Sequence, residues 1–239
     1  MSARKIKQKV LELLATENLK VILRQLNELP VKDVINSLFS VICRGEDLVH
    51  WNGVSCMGIF VARLAEKDME EARIVMRRML WSLNDESGGI GWGVPEAMAE
   101  VMTCHEELAR EYIHMLISYM REDGEELFQD GNFLEHESLQ RGLLWGIGRL
   151  AEKRPEMLIE RGVVGDILPY LGSPDSSVRG LAARSLGLLQ AEKVVDQIKL
   201  LVNDTAPVRL YHGGRIRTET VGQLAEEALG LMQYKRECS

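Results

Sequence analysis

The segment Ser173-Pro-Asp-Ser-Ser-Val-Arg-Gly-Leu-Ala-Ala-Arg-Ser-Leu-Gly187 decides the fold of this 239-residue chain. Ser173, Pro174 and Asp175 form a turn that can cap a helix. Apolar residues then recur at helical spacing beside Gly180, Ala182, Ala183 and Gly187, a stripe small enough for another helix to approach closely. Parts of the segment recur elsewhere. Arg141-Gly142-Leu143 matches Arg179-Gly180-Leu181 one repeat earlier, and Ser185-Leu-Gly-Leu-Leu189 is echoed one repeat later by Ala228-Leu-Gly-Leu-Met232. Arg63-Leu-Ala-Glu-Lys67 returns unchanged as Arg149-Leu-Ala-Glu-Lys153, at twice the interval that separates Ser185 from Ala228. Self-similarity at this period, roughly 40 residues, marks a helical repeat. In that register Trp51 and Trp92, about one period apart, open the corresponding helices of earlier repeats.

Periodicity and punctuation predict helices over 3–15, 19–29, 30–43, 48–66, 69–83, 95–103, 106–120 and 137–151. Asp68 is the expected cap of the fifth. Pro155 starts the partner of the helix at 137–151, and Pro169 bends or ends that region. Further helices are expected over 176–189, 192–202 and 218–233. Short connections place neighbouring helices antiparallel. The prediction is an all-α, right-handed α-solenoid (HEAT-like) of about six helical pairs, one domain over residues 1–239, with its clearest repeats at 137–233. Residues 207–218 break the pattern. Two short alternating runs flank Gly213-Gly214, so a β-hairpin is expected inside the last repeat, packed on the helices because an isolated hairpin is marginal.

Composition narrows the function. Apolar residues make up 46% of the chain and aromatics only 5%, which suits helix-on-helix packing in a Leu, Ala, Ile, Val and Met core. Net charge is −7, and seven acids against one base between Arg121 and Glu137 account for almost all of it. No basic stripe accompanies this, which argues against nucleic acid. The acidic stretch is a solvated loop or a docking patch for a cationic partner. Cys43, Cys56, Cys104 and Cys238 form no CxxC pair, so neither a zinc ribbon nor a disulfide framework is expected. No segment approaches the ~20 apolar residues of a membrane span, and no secretory pattern opens the chain. The expected location is the cytoplasm, with no cofactor, no metal and no membrane.

The Pro-Asp turn, the Val178-Arg179 pair and the small-residue stripe ending in Ser185-Leu186-Gly187 resemble a HEAT repeat of the phycobilisome-lyase type. Ser185 stands where that motif's last Ala would be. The resemblance is specific over 137–233 and weaker before it. It implies a stack of helical pairs whose concave face binds a protein or peptide without catalysis. The residues expected on that face are Trp51, Trp92, Glu96, Arg141, Trp145, Arg179 and Arg184, with Tyr211 at the hairpin. The alternative is an enzyme or accessory subunit using the same groove, similar either to the HEAT-like alkylpurine DNA glycosylases or to bilin lyases. A glycosylase would use Glu96 beside Trp92 and Trp145, with the three arginines as phosphate contacts. His105-Glu106 and His136-Glu137 resemble the iron-binding pairs of deoxyhypusine hydroxylase, but only two pairs exist and neither follows the repeat arginine. The Gly88-to-Gly93 run lacks the Gly-Lys-Ser/Thr of a phosphate loop.

Overall fold

The computed structural model describes residues 2–44, 48–84, 91–122, 124 and 132–238, with side chains through residue 233. Within them are α1 (Ala3–Leu14), α2 (Leu19–Leu26), α3 (Val31–Ile42), α4 (Leu48–Ala65), α5 (Met69–Leu83), α6 (Val94–Cys104) and α7 (Glu106–Ser118). There follow α8 (Glu137–Lys153), α9 (Pro155–Ile159), α10 (Val163–Ile167), α11 (Ser176–Leu188), α12 (Val195–Lys199) and α13 (Val221–Cys238), with β1 (Pro207–His212) and β2 (Arg215–Thr220) forming a two-stranded sheet before the last helix. The backbone divides into two compact units, one of residues 1–112 with 211–216 and one of residues 113–210 with 217–239. Most of the predicted glycine-rich loop and about half of the acidic stretch, residues 85–90, 123 and 125–131, lie outside the described residues.

The helix starts follow local chemistry. Asn18, Asp68 and Asp175 each turn a side-chain oxygen onto the backbone N–H three residues ahead, at Val21, Glu71 and Val178 (3.2, 3.2 and 3.0 Å). Each satisfies a donor that the first turn leaves open. The start of α13 was legible and missed: Thr220 Oγ1 accepts from Gln223 N (3.1 Å) while Gln223 Oε1 accepts from Thr220 N (2.7 Å). This reciprocal cap lets residues 218–220 finish β2, so the helix begins at Val221. The second members of the later pairs are broken: Gly162, with φ 69°, separates α9 from α10, and Pro169 sits in a 3-10 turn over 168–172.

In the first unit α1 packs on α3 and α4, and α4 also meets α3, α5 and α6. Against the expectation that no segment approaches a membrane span, α4 is long and apolar enough by composition to cross a bilayer (18 residues, mean hydropathy 1.2), and 78% of it is buried. That burial makes it the unit's core helix. Its Asn52 is 1% exposed and donates to Leu14 O and Thr16 O (2.9 and 3.0 Å), tying down the end of α1 and the turn that follows it. In the second unit α11 lies against α8 and α13. The small stripe works as expected: a Cβ at Gly180 would stand 2.9 Å from Val208 and Leu224, and one at Gly187 would overlap the Ala228 backbone. Ser185, fully buried, returns its hydroxyl to Leu181 O (2.8 Å) and also reaches Leu144 O (3.2 Å), so the polar substitute for Ala leaves no orphan donor.

The hairpin occupies the predicted place. Gly213 and Gly214 take φ of 60° and 81°, the left-handed values that a tight two-residue hairpin turn demands of both positions. Val208, Leu210 and Tyr211 are buried along β1.

Candidate binding surface

Of the sequence-predicted residues in the first unit, Trp51, Glu96 and Tyr211 are buried and Trp92 is exposed. Trp51, near the start of α4, is 7% exposed and stacks on Tyr211 at the hairpin tip, with ring centroids 4.9 Å apart and planes 5° from parallel. The Tyr211 hydroxyl lies 3.0 Å from Ser55 Oγ, one turn further along α4. His50 packs edge-on against Trp51 at 4.9 Å, and its Nδ1–H donates to Ile42 O at 2.7 Å. These contacts fix the tip of the hairpin to α4, so Trp51 and Tyr211 sit in the interior instead of on an open face. Glu96 on α6 is also buried.

Trp92 is 43% exposed, immediately before Gly93 and the start of α6. Sequence reasoning overlooked a second indole. Trp81 on α5 is 71% exposed, and Ile74, two turns earlier on the same helix, is 48% exposed. The signal was available: the inward stripe of α5 runs through Ala72, Met76 and Met79, and positions 74 and 81 fall off it at the i, i+7 spacing of a common face.

The arginines in the second unit form a register. Arg141 Nε is 3.1 Å from both oxygens of Asp175. Arg179, at the same position of the following repeat, places its guanidinium on Asp204 in the same way (3.1 and 2.7 Å) and also donates to Ser173 O and Pro174 O (2.8 and 2.9 Å). Each motif arginine thus reaches an acid in the next repeat, and Asp175 is at the same time the cap of α11. Arg184 pairs with Glu152, which also accepts from Arg149 (2.9 Å). Only 12–35% of the three guanidinium side chains is exposed. Their geometry is that of ties between successive repeats, not of cations lining an open flank. Trp145 on α8 is 6% exposed.

This register carries a pH dependence. Burial pushes the Asp175 carboxyl up, but hydrogen bonds from Arg141 and the Val178 N–H outweigh it and leave it below the ordinary carboxylate range. The Ala206 N–H and then the Arg179 guanidinium hold Asp204 low. A carboxyl depressed in the folded state contributes stability that is complete above the unfolded-chain value, about 4, and disappears as pH falls through the folded one. The urea midpoint should therefore fall as pH is lowered below about 5. An Arg141→Met/Arg179→Met double variant should show a smaller acid loss than the parent. An equal loss would remove these two pairs as its source.

The two His-Glu dipeptides are helix starts. His105 Nδ1 accepts from Leu108 N and His136 Nδ1 from Ser138 N, both at 3.3 Å. Among the described residues no group of three or more His, Cys, Asp or Glu side chains could hold a metal ion. Burial pushes the Cys56 thiol up to about 12 and raises Cys43, opposite to what a reactive thiolate needs.

No family model and no curated protein matches the sequence. Solved structures do. A designed armadillo repeat protein in complex with the peptide (KR)4 superposes with a TM-score of 0.54 over 95% of this chain and 91% of its own, at 14% identity. Two engineered proteins give 0.53 at 14% identity, covering 98% of both chains, and 0.52 at 15% identity, covering 95% of this chain and 98% of the other. At such identities the likeness concerns the fold: this is a mostly helical repeat protein with, among the described residues, one two-stranded hairpin.

Proposed function

We propose that this chain is a non-catalytic HEAT-type repeat scaffold that binds a protein or peptide. The observation that carries the reading is the pair of exposed indoles, Trp81 and Trp92, in the first unit. Large aromatics left at a surface are the residues around which binding energy concentrates. The HEAT assignment rests on the Arg-Gly-Leu register and on the acid that each of its arginines meets in the following repeat. A designed repeat protein of similar fold is itself solved with a bound peptide, which is in keeping with this use of the architecture. Arg141, Arg179 and Arg184, which a glycosylase-like reading needs as phosphate contacts, already hold carboxylates, and a phosphate would have to displace them. The cytoplasm remains the compartment we propose.

Selection of a random peptide library on the full chain tests this directly. An enriched peptide should bind the Trp81→Ala/Trp92→Ala variant at least about tenfold more weakly, the loss of one hot-spot interaction. Failure to enrich any sequence, or unchanged affinity for the double variant, sinks the proposal.

A further inference from the structure

The second unit contains an open cleft of about 610 Å³ beneath the end of α7, between the start of α8 and the 3-10 turn that follows α10. Its aromatic wall is Phe133 and Tyr170, stacked with centroids 6.4 Å apart. Tyr170 is 6% exposed and its hydroxyl has no hydrogen-bond partner among the described residues, an uncommon condition for a buried phenol. Three charges line the cleft. Arg121 is committed to Asp166, with Nε and Nη2 at 3.0 and 2.8 Å from its two oxygens, and Glu122 is exposed beside it. Burial, then the negative charge of Asp166 and Glu122, pushes the Tyr170 phenol up to about 12, so both acids are felt at the aromatic wall. Two acids against one base leave the rim net negative. The cleft therefore combines an aromatic surface and a net negative rim.

We infer that this cleft receives the cationic side chain of a basic peptide, Lys or Arg, on the partner that the scaffold binds. The aliphatic stem of such a residue fits against Phe133 and Tyr170, where an ammonium or guanidinium gains a cation–π contact. Its charge faces Glu122 at the rim of the cleft. A neutral or acidic side chain would forgo the cation–π contact and the acidic rim, and an acidic one would be repelled. The inference rests on the scaffold reading above and adds the chemistry of the partner.

The probe is a fluorescein-labelled oligopeptide of alternating Lys and Arg, titrated by anisotropy against the full chain, with a peptide of the same length carrying Gln at every position as comparison. Saturable binding of the cationic peptide alone is expected. Glu122→Lys should weaken it about five- to tenfold, as a favourable rim pair becomes a repulsive one. Gly165→Leu should weaken it too: Gly165 lines the cleft and a Cβ there meets nothing within 4 Å, so a side chain at this position competes with the peptide for the space, and a urea midpoint equal to the parent's checks that the fold is kept. Glu226→Lys on α13 makes the same change in net charge and should leave affinity within about twofold. Equal losses for Glu122→Lys and Glu226→Lys would reduce the binding to general charge attraction and overturn the site. If the cationic peptide fails to bind while a library-selected peptide binds through Trp81 and Trp92, this inference falls and the scaffold reading stands. If neither binds, both fall.

Discussion

Gly187→Ala is expected to lower the free energy of unfolding by about 2 kcal/mol, and the sign of the effect is the informative part. On an open helix the same change would stabilise by up to about 1 kcal/mol, because Ala is the better helix former. Here the added Cβ would overlap Ala228 Cα and stand 2.5 Å from Ala228 Cβ. Cα is backbone, so no rotamer change relieves the overlap; α11 and α13 must separate. Overpacking of this kind costs about 1–3 kcal/mol and sometimes more, which exceeds the propensity gain. Gly165→Ala is the control, since it meets nothing within 4 Å, and should be neutral or slightly stabilising. Urea denaturation of both variants decides the matter. A Gly187→Ala protein as stable as the parent would mean that the two helices are not in close contact.

That prediction depends on a feature the sequence displayed. Gly187 and Ala228 belong to echoed segments in which Ser185 matches Ala228 and Gly187 matches Gly230, and small residues on both facing helices are what close stacking requires. The hairpin was equally visible, because a Gly-Gly pair between alternating runs supplies the two positive-φ positions that a tight turn there requires. The site was legible only in part, for a physical reason. Charge and aromaticity identify residues able to bind, but the same properties make Arg and Trp useful between repeats. Arg141 and Arg179 share a register position, and the acid that engages each lies 34 and 25 residues away in the chain. Trp51 and Trp92 lie about one period apart yet have opposite fates: Trp51, inside the first turn of α4, is covered by Tyr211, which arrives from a hairpin near the other end of the chain, while Trp92, two residues ahead of α6, stays exposed. A repeat register fixes which helix a residue opens; what covers it is set by insertions that do not repeat.

Gly93→Ala should cost more than Gly187→Ala, about 3 kcal/mol or above, because two independent penalties coincide. Gly93 has φ 73° and a side chain at that angle costs about 1 kcal/mol or more. Its Cβ would also be driven into the Ile42 carbonyl oxygen and to 2.7 Å from His50 Cε1. That carbonyl accepts the His50 Nδ1–H bond at 2.7 Å, in an interior where His50 is 3% exposed. Displacing it leaves a buried donor and acceptor to be satisfied elsewhere, worth about 1–3 kcal/mol. Gly93→Asn separates the two penalties. Asn tolerates the left-handed region far better than Ala but carries the same Cβ, so it relieves the backbone penalty alone. If the steric term dominates, Asn and Ala will be comparably destabilised in urea titrations. Recovery of most of the stability by Asn would show instead that the Ile42 carbonyl can move aside. The backbone angle at Gly93 would then be what sets the start of α6 and the exposure of Trp92 beside it.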